Sequence, residues 1–205
     1  GADPGYQTLC TYYLFCTYEI TKDKELLSSL KKSAKFLSHF IHPDGTIGGL
    51  YGSRNTEVFY SAGIIGLSNE IEEFAMLSKY LEPQEQHILP QNIDTGNYIP
   101  FLNSYAVAAL HYDKNSEVIN LSKQKPFYFN EQEKYFQDTG IFLYSNNNYF
   151  VIINFKKGGT LKVFDKISNT IDTDDGGLFG VLENGDKFST QQFDNKIKFE
   201  NKELI

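Results

Sequence analysis

The spacing of apolar residues changes near residue 115. Before this point, apolar side chains recur every three or four residues in four stretches, which predicts amphipathic helices. After it, short runs rich in Phe, Tyr, Val and Ile alternate with Asn- and Gly-containing turns, as is typical of antiparallel strands. The pattern therefore predicts an α+β chain, with α-helical hairpins over residues 1–115 and an antiparallel, sandwich-like sheet over residues 116–205.

The first two predicted helices have recognisable start signals. Asp3 is suited to the N-cap position and Pro4 to the first helical position. We expect the first helix to end near Tyr18 and Asp23 to cap the second, so that a short connector makes an antiparallel hairpin. The predicted inward residues are Tyr6, Leu9, Cys10, Tyr13, Leu14 and Thr17 in the first helix, and Leu26, Leu27, Leu30, Ala34, Leu37 and Ile41 in the second.

Two further helices are predicted after a break over residues 42–66. Asn69, followed three residues later by Glu72, has the spacing of a capping box. Pro83 should stop this third helix, and Pro100 should open the fourth. Residues 113–125 are polar and are interpreted as the linker to the sheet.

The second half of the chain contains eight strand candidates. Asn184-Gly185 is a strong signal for a two-residue hairpin turn. The run at 149–155 is almost wholly apolar and should form a central strand. The candidates are Phe127–Phe129, Tyr135–Phe136, Ile141–Tyr144, Tyr149–Phe155, Thr160–Phe164, Leu178–Leu182, Lys187–Gln192 and Lys196–Phe199.

Charge and composition narrow the classes of partner. The net charge is −7 over 205 residues and no basic face stands out, which disfavours nucleic acid. No run of about 18 apolar residues occurs, so no membrane span is expected. Aromatic residues make up 15% of the chain, and the 14 Tyr serve either core packing or a ligand groove.

The two cysteines and the amino end of the chain give little information about the cellular compartment of the protein. Cys10 and Cys16 lie six apart in one predicted helix and point to different faces, so they are interpreted as reduced core thiols. The chain opens inside a helix start without an initiator Met or a signal peptide, which predicts a piece of a longer protein. Compartment and oligomeric state are left open.

Tyr6 is the first candidate for chemistry. It lies one turn into a helix beside the Gly5 entry, and a Tyr can act as general acid or base when cations lower its pKa. The alternative is a core Tyr at the start of an amphipathic stripe. His42, next to a Gly-rich loop, is the one histidine considered catalytic.

The loop at 48–56 is the second candidate. Its glycines allow a backbone to approach a ligand closely. Arg54 is the only arginine of the chain and is suited to bidentate binding of a carboxylate or sulfate; alternatively it pins the loop to backbone carbonyls or a buried Asp. Tyr51 and Asn55 are further candidate ligand contacts.

The acidic run at 172–177 is the third candidate. Clustered carboxylates and glycines can bind Ca²⁺, but the run lacks EF-hand spacing, and a solvated turn is the alternative. The four histidines show no metal-binding spacing. No metal and no cofactor is therefore predicted.

Several of these segments, taken in order, resemble the C-terminal half of heparinase II/III-like polysaccharide lyases. Residues 3–7 are similar to the family's helix-opening segment that supplies a catalytic Tyr. Residues 42–45, a turn after the helical hairpin, follow in the expected order, and residues 155–159 and 174–177 are similar to segments of the family's sheet. The chain departs from the family pattern at Gln7 and at Asp172 or Thr173, where the family places His.

The resemblance implies an incomplete α/α toroid followed by a β-sandwich, and cleavage of uronic-acid chains by β-elimination. It implies Tyr6 for the proton steps and Arg54 for the substrate carboxylate, in one cleft. The partner implied is an acidic polysaccharide or oligosaccharide. A non-catalytic glycan-binding or scaffold protein remains an alternative, as does a glycoside hydrolase that uses Asp44 and Glu57.

Overall fold

The protein is a mixed α+β chain, with helices in the first part and an antiparallel sheet in the second. The computed structural model describes residues 3–81, 95–192, 199–200 and 203–204. The chain divides into two compact units. A helical unit comprises Asp3–Gly48 and Thr56–Phe129, and a sheet unit comprises Gly49–Asn55 and Asn130–Ile205.

Five α-helices occur in the described part of the helical unit. Apart from α3, they follow the amphipathic stretches predicted from spacing, with different bounds. The helices are α1 (Pro4–Thr21), α2 (Lys24–Leu37), α3 (Ser61–Gly66), α4 (Glu72–Tyr80) and α5 (Thr95–Leu121).

The predicted start of α1 is confirmed. The carboxylate of Asp3 accepts a hydrogen bond from the backbone N–H of Tyr6 at 3.1 Å, and Pro4 occupies the first turn. The helix runs past the predicted end and closes on Lys22, which adopts the left-handed conformation with φ of 51°. Asp23 caps α2 by accepting from two backbone N–H groups, as predicted.

The predicted inward face of α1 is wrong. Tyr6, Cys10 and Tyr13 are exposed, and the residues that turn inward lie on the opposite side of the helix. Both sides of α1 are uncharged between Pro4 and Tyr18, so spacing alone did not distinguish them. The buried side comprises Pro4, Gly5, Thr8, Thr11, Tyr12, Phe15 and Tyr18.

The remaining helices correct three sequence interpretations. Helix α4 begins after Ile71 without a side-chain cap, and Asn69 instead donates to Asn115, so the capping box is wrong. Pro100 lies inside α5 and does not open it. The linker predicted at 113–125 is helical as far as Leu121, and the predicted 115/116 boundary falls within α5. Pro83 lies outside the described residues.

The sheet unit contains a five-stranded antiparallel meander in the order β1-β2-β3-β4-β5. One face is buried and largely apolar, with Ile141 and Leu143 on β2 opposite Asn154 and Ile152 on β3. The strands are β1 (Gln132–Phe136), β2 (Ile141–Ser145), β3 (Tyr149–Asn154), β4 (Thr160–Asp165) and β5 (Thr170–Asp175); shorter pairs follow, β6 (Phe179–Val181) with β7 (Lys187–Ser189) and β8 (Phe199–Glu200) with β9 (Glu203–Leu204).

Most strand predictions are confirmed, with three exceptions. Residues 127–129 form a 3-10 helix, the candidate at 187–192 is a strand only to Ser189 and continues as a 3-10 helix, and β5 was missed because its Asp-rich sequence indicated a turn. β5 is stabilised by pairing with β4, and the ammonium of buried Lys162 lies 3.4 Å from the Asp174 carboxylate. Residues 196–198 of the last candidate lie outside the described residues.

The cysteines are free, as predicted, but they are exposed and not in the core. Desolvation raises the pKa of the Cys16 thiol above its ordinary value, and the nearby Glu19 carboxylate adds to this effect. In the described part of the chain, no helix combines the length and apolar character needed to cross a bilayer.

Candidate functional site

The amino end of α1 holds Tyr6 on a rigid support. Asp3 caps the helix, and a Cβ added at Gly5 would lie 2.6 Å from the Thr56 side chain, so the chain passes very close to this turn. The Thr8 hydroxyl, wholly buried, accepts from the backbone N–H of Tyr60 at 2.8 Å. Tyr6 itself is 56% exposed. Its ring is therefore presented to solvent from a fixed backbone.

His42 lies in the same unit but in a different environment. Its backbone N–H donates to the Thr46 carbonyl at 2.9 Å, and its ring Nδ1 lies 2.6 Å from the Thr46 hydroxyl oxygen. That hydroxyl donates its one proton to Asp44 at 2.7 Å, so Nδ1–H must be the donor to Thr46. The His42 ring is 0% exposed. The imidazole closes a turn inside the helical unit.

The Gly49–Asn55 segment belongs to the sheet unit, and its conformation is set by side chains of the β3–β4 turn. The Lys157 ammonium donates to the Leu50 carbonyl and to the Asn55 side-chain oxygen, each at 2.7 Å, and also to the Gly52 carbonyl. These three acceptors use all three N–H donors of the ammonium group. Lys157 therefore fixes the loop both at Leu50 and at Asn55.

Asn154 provides a second attachment for this loop. Its side-chain N–H donates to the Tyr51 carbonyl at 2.7 Å, while its side-chain oxygen accepts from the backbone N–H of Lys157 at 3.1 Å. Desolvation lowers the pKa of Lys157 below its ordinary value. The loop, with its partners Asn154 and Lys157, is called the Arg54 loop below.

Within the Arg54 loop, the predicted ligand contacts have different exposures. Arg54 and Asn55 are exposed, and Asn55 has a left-handed φ of 56°. Tyr51 is 2% exposed, so its ring is enclosed and not at the surface. Arg54 and Asn55, which are adjacent in the sequence, are thus both exposed on this loop.

Sequence reasoning did not find Lys157 or Asn154 as supports of the loop. The residues are about one hundred positions from it, with separations of 102 to 107 residues for the Lys157 contacts. The local signal, Lys-Lys-Gly-Gly after an apolar strand, indicated only a turn. A cation beside a strand end gives no indication of which distant carbonyls it will meet.

The acidic run at 172–175 does not form a cluster. It lies in β5, where successive side chains point to opposite faces. No group of three or more His, Cys, Asp or Glu side chains suited to a metal ion occurs among the described residues. Asp44, a candidate for glycosidase chemistry, accepts from both the backbone N–H and the hydroxyl of Thr46.

An open groove of about 480 Å³ on the helical unit is lined by none of the residues predicted to carry chemistry. Its lining includes Lys31, Lys32 and Lys35 of α2 and Glu70, Glu72 and Glu73. Because its charges balance, this groove has no net preference for an acidic polymer.

Tyr128 has a strongly shifted ionisation equilibrium. Burial, followed by the neighbouring Tyr80 and Asp44, raises its pKa from 10.0 to about 12. Its side chain therefore keeps its proton in the folded state at pH values where the unfolded chain releases it.

This shift predicts a loss of stability in alkali. Folding stability from Tyr128 is fully present below pH 10 and is lost as the pH rises towards 12, with a total of about 2 kcal/mol. Urea unfolding monitored by circular dichroism over this interval should show a steeper fall for the wild type than for Tyr128→Phe. Equal slopes for the two proteins would contradict the assignment.

Comparison with family models, with curated proteins and with solved structures finds no match to this chain.

Proposed function

We propose that this chain is part of a protein that acts on uronic-acid-containing polysaccharides, cleaving them by β-elimination. The observation that carries the proposal is the Arg54 loop, in which an exposed guanidinium is presented from a segment that Lys157 and Asn154 hold in place. A guanidinium can bind a uronate carboxylate through two parallel hydrogen bonds. Pre-ordering the loop reduces the entropy lost on binding.

The local charge of the loop supports an acidic ligand. Arg54, on the loop, and Lys157, which binds the loop from a distant part of the sequence, place two cations at one loop of a chain whose net charge is −7. All three N–H donors of Lys157 bind the loop itself, so Lys157 attracts an acidic ligand through its positive charge and not through a hydrogen bond. Arg54 and Asn55 are both exposed on this loop.

Tyr6 is the candidate for proton transfer. In β-elimination, a base removes the C5 proton of the uronate, the electron pair forms the C4–C5 double bond, and the C4–O bond breaks. A phenol can then donate its proton to the leaving oxygen. The exposure of Tyr6 and the rigid turn that carries it support this role.

The proposal also includes the finer architecture of an incomplete α/α toroid and a β-sandwich. It is supported by the antiparallel pair α1 and α2, joined by two residues, and by the five-stranded meander with one buried face.

A non-catalytic glycan-binding protein is the second candidate, and the burial of His42 favours it. Because the His42 ring is enclosed, Tyr6 is the one of the two predicted catalytic residues that is exposed to solvent. The two candidates share the ligand class and differ in product formation.

The deciding experiment incubates the protein with galacturonic-acid and glucuronic-acid polymers and follows the ultraviolet absorbance of the unsaturated uronate. Rising absorbance supports the lyase. Binding without a change in absorbance supports the glycan-binding alternative. If neither binding nor product is found with any acidic polymer, the function proposed here is wrong.

Arg54→Ala should weaken binding of a galacturonic-acid oligosaccharide about tenfold at low salt, as expected for loss of a charge-assisted hydrogen bond. Because Arg54 is exposed, added salt should reduce the difference. Arg54→Lys should give an intermediate affinity, since it keeps the charge without the planar fork. Calorimetric titration measures all three proteins.

Lys187→Ala is the matched control, because it removes an exposed cation from β7 of the same unit. Its affinity should equal that of the wild type. An equal loss in both alanine variants would indicate a general charge effect and not recognition by Arg54.

A further inference from the structure

Three consecutive backbone carbonyls of the Arg54 loop accept hydrogen bonds from side chains that are distant in the sequence. The Leu50 and Gly52 carbonyls accept from the Lys157 ammonium. The Tyr51 carbonyl between them accepts from the Asn154 side chain. All three lie outside helices and strands, so they lack the partners that regular structure provides. This segment therefore depends on donors supplied from the end of β3 and the turn after it.

Oxygen atoms of one loop surround the Lys157 ammonium. Besides the two carbonyls, it donates to the Asn55 side-chain oxygen at 2.7 Å. Three oxygens within hydrogen-bond distance of one cation form a partial coordination shell, in which backbone carbonyls can replace the water around a monovalent ion. We name these three oxygens, from Leu50, Gly52 and Asn55, the oxygen shell.

The oxygen shell brackets Arg54. Its members at Gly52 and Asn55 lie on either side of Arg54 in the sequence. Asn55 has a left-handed φ of 56°, which non-glycine residues adopt infrequently, and its bond to Lys157 supports this conformation. One positive charge therefore fixes the backbone on both sides of the residue that carries the guanidinium.

We propose that the oxygen shell is a monovalent-cation site that the Lys157 ammonium occupies, and that this tethered cation positions Arg54. The loop requires the charge itself, because three oxygens with partial negative charge repel one another when no cation lies between them. An uncharged side chain at position 157 should therefore open the loop. The ammonium ion and K⁺, which are of similar size, should close it again where space is left for them.

Cleavage after Arg54 by an arginine-specific protease measures the opening of the loop without any glycan. Arg54 is the only arginine of the chain, so a single cut gives fragments 1–54 and 55–205. Cleavage follows the population of the open loop when opening and closing are fast. In Lys157→Ala it should be at least about tenfold faster than in the wild type, since loss of one charge-assisted hydrogen bond corresponds to about that factor.

Added cations test the identity of the site. Ammonium chloride or potassium chloride should slow the cleavage of Lys157→Ala towards the wild-type rate. Tetramethylammonium chloride at the same ionic strength should not, because this ion is larger and has no N–H donor. Lys157→Met keeps a side chain of similar length without the charge, so it should open the loop and gain nothing from any of the salts. Circular dichroism compares the folding of both variants, and Lys157→Met alone suffices to test the charge.

Lys156→Ala is the matched control. The neighbouring lysine is exposed, and its ammonium donates to the Asp138 carbonyl at 3.0 Å. Among the described residues it makes no hydrogen bond to the Arg54 loop. Cleavage after Arg54 in this variant should be as slow as in the wild type and should not depend on which salt is added.

The consequence for glycan binding rests on the proposed function. Lys157→Ala should lower the affinity for a galacturonic-acid oligosaccharide about tenfold, as expected for Arg54→Ala, and ammonium chloride should restore it relative to tetramethylammonium chloride. Because Lys157 acts through Arg54, the double variant should bind no more weakly than Arg54→Ala at physiological ionic strength, where long-range attraction is screened.

Three results would overturn the inference. They are equal cleavage of the wild type and Lys157→Ala, equal protection by ammonium and tetramethylammonium, and a further loss of affinity in the double variant. Protection of Lys157→Ala by ammonium, together with a wild type that binds no acidic glycan, would support the cation site and contradict only the proposed function. The two failures are therefore distinguishable.

Discussion

Gly48→Ala should destabilise the helical unit by about 3–5 kcal/mol, combining backbone strain and steric overlap. Gly48 has a φ of +91°, which L side chains rarely adopt, and an added Cβ would lie 2.0 Å from the Thr56 carbonyl oxygen and 2.8 Å from Pro4. A backbone oxygen cannot move aside as a side chain can. Because domains are stable by only about 5–15 kcal/mol, the effect is a large part of the total.

Thermal unfolding measures this loss. For a chain of this size, each kcal/mol corresponds to about 2–4 °C, so the melting temperature of Gly48→Ala should fall by about 10 °C. The segment that holds Gly48 against Thr56 also approaches the turn that supports Tyr6, since Gly5 contacts the same Thr56. Loss of the Gly48 conformation should therefore also loosen the amino end of α1.

Gly185→Ala is the matched control. Gly185 has a similar φ of +89°, but an added Cβ would have no heavy atom within 4 Å. Only the backbone cost of about 1 kcal/mol remains. If the two variants had the same melting temperature, the close approach of Gly48 to Thr56 would be contradicted.

Tyr6→Phe should lower the rate of uronate elimination at least about 100-fold while leaving glycan affinity unchanged. The variant keeps the ring and removes only the phenolic proton. The Asp3 cap is retained, because it binds the backbone N–H of residue 6 and not the side chain. Initial rates of ultraviolet product formation, with affinity measured separately, distinguish loss of proton transfer from loss of binding.

Tyr13→Phe is the control for this substitution. Tyr13 lies two helical turns away on α1 and is 58% exposed, compared with 56% for Tyr6. It should retain full activity. A fully active Tyr6→Phe protein would exclude Tyr6 as the proton-transfer residue. Equal losses of activity in both variants would indicate that the reaction depends on the surface of α1 as a whole and not on the Tyr6 phenol.

Local sequence signals predicted those parts of the structure that depend on local interactions. The Asp3 cap, the Asp23 cap and the antiparallel α1–α2 pair are each made within a few residues. The β-strands from 141 to 164 follow from dense apolar and β-branched runs between turns. The coarse α+β class was predictable for the same reason.

The inward face of α1 and strand β5 were not predictable in this way. An uncharged helix offers two faces of similar polarity, and only its packing on α3 and α5 selects Tyr12 and Phe15 over Tyr6 and Tyr13. An Asp-rich segment becomes a strand because β4 supplies its hydrogen bonds. Pairing with a neighbour outweighs weak intrinsic strand propensity.

The sequence by itself determined the change from helices to strands, the caps of α1 and α2 and the presence of a single arginine in a glycine-rich loop, because these depend on residues close together in the chain. Tertiary structure alone decided that Arg54 is exposed, that Tyr51 and His42 are enclosed, and that Lys157 holds the loop. These outcomes depend on contacts between distant segments, as in the hydrogen bonds that join Lys157 to residues more than 100 positions away. Burial and long-range hydrogen bonding are properties of the packed chain, and no local pattern contains them.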